Sequence, residues 1–154
     1  MSAPAESRHY QAPDWFTRHV FNPIVAGFTR AGISVWGSRV LEIRGRKTGE
    51  PRRTPVNLLT LDGTRYLVAP RGHTQWVRNL RAAGEGDLLL GRRREHFHAT
   101  EVADAEKVEI LRAYLRRWKW EVGQFFGGVG PDSPPEELAR IAPDHPVFRI
   151  STSP

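Results

Sequence analysis

The sequence predicts an α+β domain in which five or six antiparallel strands curl into a barrel or split barrel, with helices inserted between hairpins. Three observations carry this. Asp62-Gly63 separates two apolar, β-prone runs, the signature of a two-residue hairpin turn that needs positive φ. A second pair of runs, DLLL and EHFHATEVA, flanks Gly91-Arg92-Arg93 and reads as a second hairpin. Stretches of helical period lie before, between and after the two hairpins.

Taken in order, residues 1–12 are polar and without period, and are expected to form a mobile tail ahead of one domain over 13–154. From Asp14, a first-turn cap, Trp15, Phe16, Val20, Ile24 and Phe28 recur at helical spacing, with a kink or restart at Asn22-Pro23 and a stop at Gly32. Val40, Leu41 and Ile43 make a first strand, a basic loop follows, and Pro55 to Leu61 make a second. RYLVA is the third strand, across the Asp62-Gly63 turn. His73 or Thr74 opens a short helix, TQWVRNLRAAG, whose stripe is Trp76 or Val77 with Leu80 and whose stop is Gly84. After the second hairpin, Asp104 is placed to cap a longer helix with a stripe of Val108, Leu111, Leu115 and Trp118 and a cationic opposite face. GQFFGGVGPDSPP reads as a loop exposing Phe125 and Phe126. Ser133 to Glu136 reads as a capping box opening a short helix to Ile141, and VFRIS is the last strand.

Bulk properties narrow the function classes. The 154 residues suit one domain, long enough to bury about two thirds of the unfolded surface. With no cysteine, disulfides, thiolate metal sites and cysteine nucleophiles are excluded, and a reducing cytoplasm is permitted. No signal-type or membrane-spanning apolar run is present, so a soluble, cytoplasmic protein is expected. The formal charge of +6 favours an anionic partner: nucleic acid, a phospholipid surface, or a phosphate- or carboxylate-bearing cofactor.

The densest charge lies in RGRKTGEPRRTP, where Arg44, Arg46, Lys47, Arg52 and Arg53 are opposed by Glu50 alone. Gly45 and Gly49 permit tight turning and close backbone approach, and Thr48 adds a hydroxyl, which together suit an oxyanion. The alternative is a solvated hairpin loop. The spacing is not that of a Walker loop. A second anion-directed element is APRG, Ala69 to Gly72, which leads from a strand into a helix N-terminus. One helical face carries Trp76 and Asn79, suited to covering and donating to a planar ligand, though core packing is the commoner fate of such a tryptophan. His96 and His98 share a strand face, but no third ligand of clear spacing accompanies them and no metal is expected. No nucleophilic serine signature or nucleic-acid motif appears, so a nucleic-acid partner is not expected.

Taken together, VLEIRGRKTGEPRRTPV, DGTRYLVAPRG and WVRNLRAAG resemble the deazaflavin-dependent nitroreductases, also called deazaflavin-dependent quinone reductases, from about Val40 to Val102 with a weaker echo in HPVFRI. The resemblance implies an FMN-binding split-barrel-like fold and coenzyme F420, an 8-hydroxy-5-deazaflavin bearing a phosphodiester and an oligoglutamate tail, with FMN as the alternative cofactor. It places Arg46, Lys47, Thr48, Arg52, Pro55 and Val56 along the cofactor groove. Ala69, Pro70, Arg71 and Gly72 fall at a loop meeting ring and tail, and Trp76 and Asn79 match the family's W-x-x-N. Pro70 departs from the family's serine and offers neither hydroxyl nor amide. The implied activity is hydride transfer to a quinone-like, nitro or other unsaturated acceptor. The alternative is a non-catalytic split-barrel module holding FMN, haem, F420 or a lipid. An aromatic substrate pocket would draw on Trp15, Tyr114, Trp118 and Phe125. The N-terminal helix would pack over that pocket, form core, or touch a membrane peripherally, and a monomer or homodimer is expected.

Overall fold

A computed structural model describes residues 37–152 of the chain. The expected tail and the N-terminal aromatic helix, including Asp14, Trp15 and Phe28, lie outside the described residues.

Six antiparallel strands form a closed barrel: β1 (Ser38–Arg44), β2 (Pro51–Leu61), β3 (Thr64–Val68), β4 (Glu85–Leu90), β5 (Arg93–Glu101) and β6 (Val147–Thr152). The order around the barrel is β1-β2-β3-β6-β5-β4, and β4 closes onto β1. The Asp62-Gly63 turn joins β2 to β3 with φ of 51° and 80°, the doubly positive geometry that the Asp-Gly pair favours. Helices interrupt the strands: α1 (Gln75–Ala83), α2 (Val108–Val122) and α3 (Pro135–Ile141). No helix among the described residues is long and apolar enough to cross a membrane.

Strand alternation sorts the apolar residues into two cores. Leu41, Ile43, Leu58, Leu67, Phe97 and Ile150 point into the barrel, and Val77 and Leu80 of α1 join them. On the outer face, Leu59, Val68 and Val147 meet Leu111, Leu115 and Trp118 of α2, together with Leu138 of α3. Each fully buried leucine contributes roughly 1.5–3 kcal/mol by leaving water, so the two cores fix α1 and α2 in place. Lys107 adds a polar clamp: its buried Nζ donates to the Ala142 carbonyl at 2.9 Å and pairs with Asp104 at 2.7 Å, joining the start of α2 to the end of α3.

Four local expectations are corrected. The strand β2 begins at Pro51, so Arg52 and Arg53 belong to a strand and not to a loop; Arg53 pairs across the sheet with Glu42 at 2.8 Å, which stabilises a charged residue in an extended ladder. Asp104 does not cap α2: residues 104–106 form a 3-10 turn, Lys107 takes the cap position, and Asp104 binds the Lys107 ammonium instead. Ser133 does not cap α3 either. Pro134 holds that position, and the Ser133 hydroxyl accepts from the Gly130 amide at 2.8 Å. Finally, Phe126 is buried and stacked on His145 with ring centroids 4.1 Å apart, and Phe125 is half-buried, so neither is a fully exposed loop residue.

Candidate cofactor site

The basic turn between β1 and β2 is closed by its own backbone. The Gly45 amide donates to Glu50 O at 2.8 Å and the Gly49 amide to Gly45 O at 2.9 Å. Gly49 has φ of 80°, which any side chain would strain, and a Cβ on Gly45 would stand 3.2 Å from the Glu50 carbonyl. Arg44 reinforces the turn by donating to Gly49 O at 2.8 Å. Residues 46–48 are thereby held at the tip.

Two elements remote in sequence meet at Arg46. Its backbone amide and Nη1 both donate to Asn79 Oδ1, at 3.1 and 2.8 Å, and Nη1 also donates to Gln75 Oε1 at 2.9 Å. Asn79 is almost fully buried, so its oxygen serves as a strut between the turn and α1 and not as a free ligand donor. Trp76, one turn earlier and half-buried, leans on Phe148 with centroids 6.1 Å apart, which gives it a packing role at the barrel core.

The basic residues divide by partner. Arg44 is spent on the turn, Arg53 on Glu42, and Arg46 on Asn79 and Gln75. Among the described residues, the exposed side chains of Lys47 and Arg52 make neither a hydrogen bond nor an ion pair. Thr48 Oγ1 accepts from the Glu50 amide at 3.2 Å and is exposed. Pro55 and Val56 do not share a surface: alternation sends Val56 into the barrel core and leaves Pro55 on the outer side of β2.

The APRG segment is a tight turn in which the Gly72 amide donates to Ala69 O at 3.2 Å and Gly72 takes φ of 93°. Ala69 is buried in the barrel core, whereas Pro70 and Arg71 border an open cleft of about 230 Å³. Phe125, Phe126, Arg140, Asp144 and His145 line its other sides, and the Arg71 guanidinium lies over the Phe125 ring at 5.6 Å. Burial pushes the His145 imidazole below its ordinary value, and its Nδ1 has no hydrogen-bond partner.

Of the aromatic residues expected around a substrate, Phe125 reaches this cleft. Tyr114 and Trp118 are fully buried in the outer core, 5.1 Å apart, and Trp15 lies outside the described residues. Burial drives the Tyr114 phenol far above its ordinary range, which keeps it neutral. Behind Arg71 stands a group that sequence reasoning missed. Glu121, half-buried near the end of α2, has its carboxyl pushed up by burial, against a hydrogen bond from Asn57 and the charge of Arg71. A glutamate in a helix otherwise read as a cationic face gave no signal, because its surroundings come from β2 and the APRG turn.

With a basic cradle, a cleft lined by aromatic rings and charged side chains, and no nucleophile or general-base triad among them, the geometry suits a bound anionic cofactor better than a covalent catalyst. Residues 20–123 match the family model of F420H(2)-dependent quinone reductases, which is more than half of the chain. The chain belongs to the F420H2-dependent quinone reductase family. Its cofactor is coenzyme F420. No protein of curated function matches the chain by sequence. Among solved structures, an F420-H2 dependent reductase (FDR-A) is 16% identical with a TM-score of 0.52, over 75% of this chain and 94% of that one. A protein of unknown function from Agrobacterium tumefaciens, Atu2129, is 16% identical with a TM-score of 0.54, over 87% of this chain. This F420H2-dependent quinone reductase family member spans 56% of the Atu2129 chain. A domain-swapped dimer is 19% identical with a TM-score of 0.52, over 91% of this chain and all of that one. At these identities the likeness shows the split-barrel fold alone.

Proposed function

We propose that the protein reduces a quinone-like, nitro or other unsaturated small molecule with F420H2, and that Lys47, Thr48, Arg52, Arg71 and Gly72 hold the cofactor. When bound, the reduced deazaflavin supplies a hydride from its C5. The chain's own residues have three tasks: to hold an anion, to exclude water, and to hold a proton.

The observation that carries the reading is the division of the basic residues. A phosphodiester and several carboxylates need charge-assisted donors that are not already engaged, and Lys47 and Arg52 meet that need on either side of a rigid turn. Arg46 supports it indirectly by fixing the turn to α1. Pro70 at the second position of the APRG turn offers no amide, which leaves Arg71 as the principal polar contact there. The cleft beside Phe125 and Arg71 has room for part of a planar ring system. Glu121 is suited to hold a proton near Arg71, because burial keeps its carboxyl protonated to a higher pH than usual.

The test is anaerobic oxidation of F420H2 by the purified full chain, followed by the recovery of deazaflavin absorbance, with a menadione-type quinone and a nitroaromatic as separate acceptors. Acceptor-dependent oxidation supports the proposal. Tight F420 binding without oxidation by either class would leave only the holding role. Glu121→Gln is expected to lower turnover while leaving F420 affinity within about twofold, a change below 0.5 kcal/mol; an unchanged rate would remove Glu121 from proton supply.

A further inference from the structure

The outer face of the second hairpin carries a cluster that the cofactor reading does not use. In β5, Phe97 points into the barrel, so its neighbours His96 and His98 both point outward and are exposed. The register of β4 sets Glu85 opposite His98 and Asp87 opposite His96. His96 Nε2 lies 2.9 Å from Glu85 Oε1, and His98 Nδ1 lies 3.9 Å from the same oxygen. All three ligand atoms fall within 4.8 Å of one another.

The hydrogen bonds settle which atoms face inward. Arg94 donates to Asp87 Oδ2 at 2.6 Å, which fixes that carboxylate, and Asp87 Oδ1 accepts from His96 Nδ1 at 2.7 Å. With its proton on Nδ1, a neutral His96 turns the Nε2 lone pair toward a carboxylate oxygen. Two lone pairs at 2.9 Å repel unless a cation stands between them. A proton on Nε2 would satisfy two of the three converging atoms, whereas a metal ion satisfies all three.

We propose that Glu85, His96 and His98 form a surface site for a borderline divalent metal ion such as zinc, with Asp87 orienting His96. Bonds of about 2.0–2.1 Å in tetrahedral geometry place ligand atoms about 3.3 Å apart. The observed 2.9 and 3.9 Å straddle that spacing, and exposed side chains adjust by small rotations. Two imidazoles with one carboxylate select zinc, nickel or copper over magnesium or calcium, and the fourth position is left to solvent. The carboxylate behind the ligating histidine is the arrangement that holds a metal-binding imidazole in one tautomer. The cluster lies one residue beyond Gly84, which ends α1, and shares no residue with the Arg46 clasp. The inference therefore stands whatever the acceptor of the oxidoreductase is.

Titration calorimetry of the full, tag-free chain with zinc chloride in a non-chelating buffer tests it. The expected result is one zinc per chain with Kd of roughly 10 μM or tighter, reversed by EDTA, and a zinc-dependent rise in melting temperature. His96→Gln with His98→Gln should abolish both signals, and Asp87→Asn should weaken binding by about tenfold or more. Should the double variant fail to fold, His98→Gln alone leaves the His96 contacts to Asp87 and Glu85 intact and should still lose saturable binding. Undiminished binding in these variants would place the zinc on other histidines. Absent binding to the wild type would mean that only a proton joins His96 to Glu85. Either result overturns the proposal.

Discussion

Asn79 shows how one buried amide joins two motifs that sequence alone leaves 33 positions apart. Its Oδ1 accepts twice from Arg46, so Asn79→Ala strands the backbone amide and leaves the half-buried guanidinium with Gln75 alone. The expected cost is about 1–3 kcal/mol in unfolding free energy, measured by urea denaturation, with a parallel loss of F420 affinity as the turn loosens. A variant with normal stability and normal affinity would deny the strut. At this scale the sequence was legible for type and not for role. The Arg, Lys and Thr of the basic turn announce an anion site by their chemistry. Nothing in the linear order says that Arg53 answers Glu42, that Arg44 closes the turn, or that Gln75 joins the clasp, because each partner arrives from another strand or helix. Glu121 was invisible for the same reason.

At the scale of elements, hairpins and the short helix α1 could be read because their signals are local: Asp62-Gly63 supplies the positive φ of its turn, and Gly84 ends α1 with φ of 73°. Helix starts were harder. An Asp or Ser ahead of an apolar run predicts a cap, but Asp104 pairs with Lys107 and Ser133 accepts from the Gly130 amide, local partners that compete with the helix end. Lys107 itself is the test of that account. Replacing it by Met keeps the volume, leaves the Ala142 carbonyl without its donor, and should destabilise the fold by about 1–3 kcal/mol. Equal stability would make the clamp irrelevant to the docking of α2 on α3. In the outer core, Leu115→Ala should cost about 2–5 kcal/mol, since the leucine is fully buried between α2 and the sheet.

The whole molecule depends on pairings between strands far apart in sequence: β1 with β4, β3 with β6 and β5 with β6 close the barrel. The sequence predicts a barrel from its strand count and edges, while the closing order is set by long-range pairing that no local pattern encodes. The closed sheet also sets a pH response. Burial lowers the His145 value in the fold, so on acidification the unfolded chain takes up this proton first, and stability falls as pH drops from about 6.5 through the folded value. Glu42, held low by hydrogen bonds from Arg94 and Arg53, and Glu101, held low by Arg81, act in a second window: their stabilisation is present above about 4.3 and is lost as pH falls through their depressed folded values. His96, held high by hydrogen bonds to Asp87 and Glu85, gains stability over the first window, so the His145 loss is read as a difference: in thermal melts between pH 8 and 3, about the range over which these groups titrate, His145→Leu should lose less stability than the wild type in the first window and the same in the second. Equal losses in the two proteins over the first window would contradict the assignment.

The proposed hold of Lys47 and Arg52 on the anionic part of F420 rests on their standing exposed at the basic turn with no hydrogen bond or ion pair among the described residues. Its most direct test is an equilibrium titration of F420 by fluorescence, comparing the wild type with Lys47→Ala combined with Arg52→Ala. Wild-type binding tighter than about 100 μM and a loss of about 2–4 kcal/mol, roughly 30- to 1000-fold, are predicted for the double variant. Equal affinity in the two proteins would show that the cofactor is held elsewhere and that Lys47 and Arg52 are solvated charge.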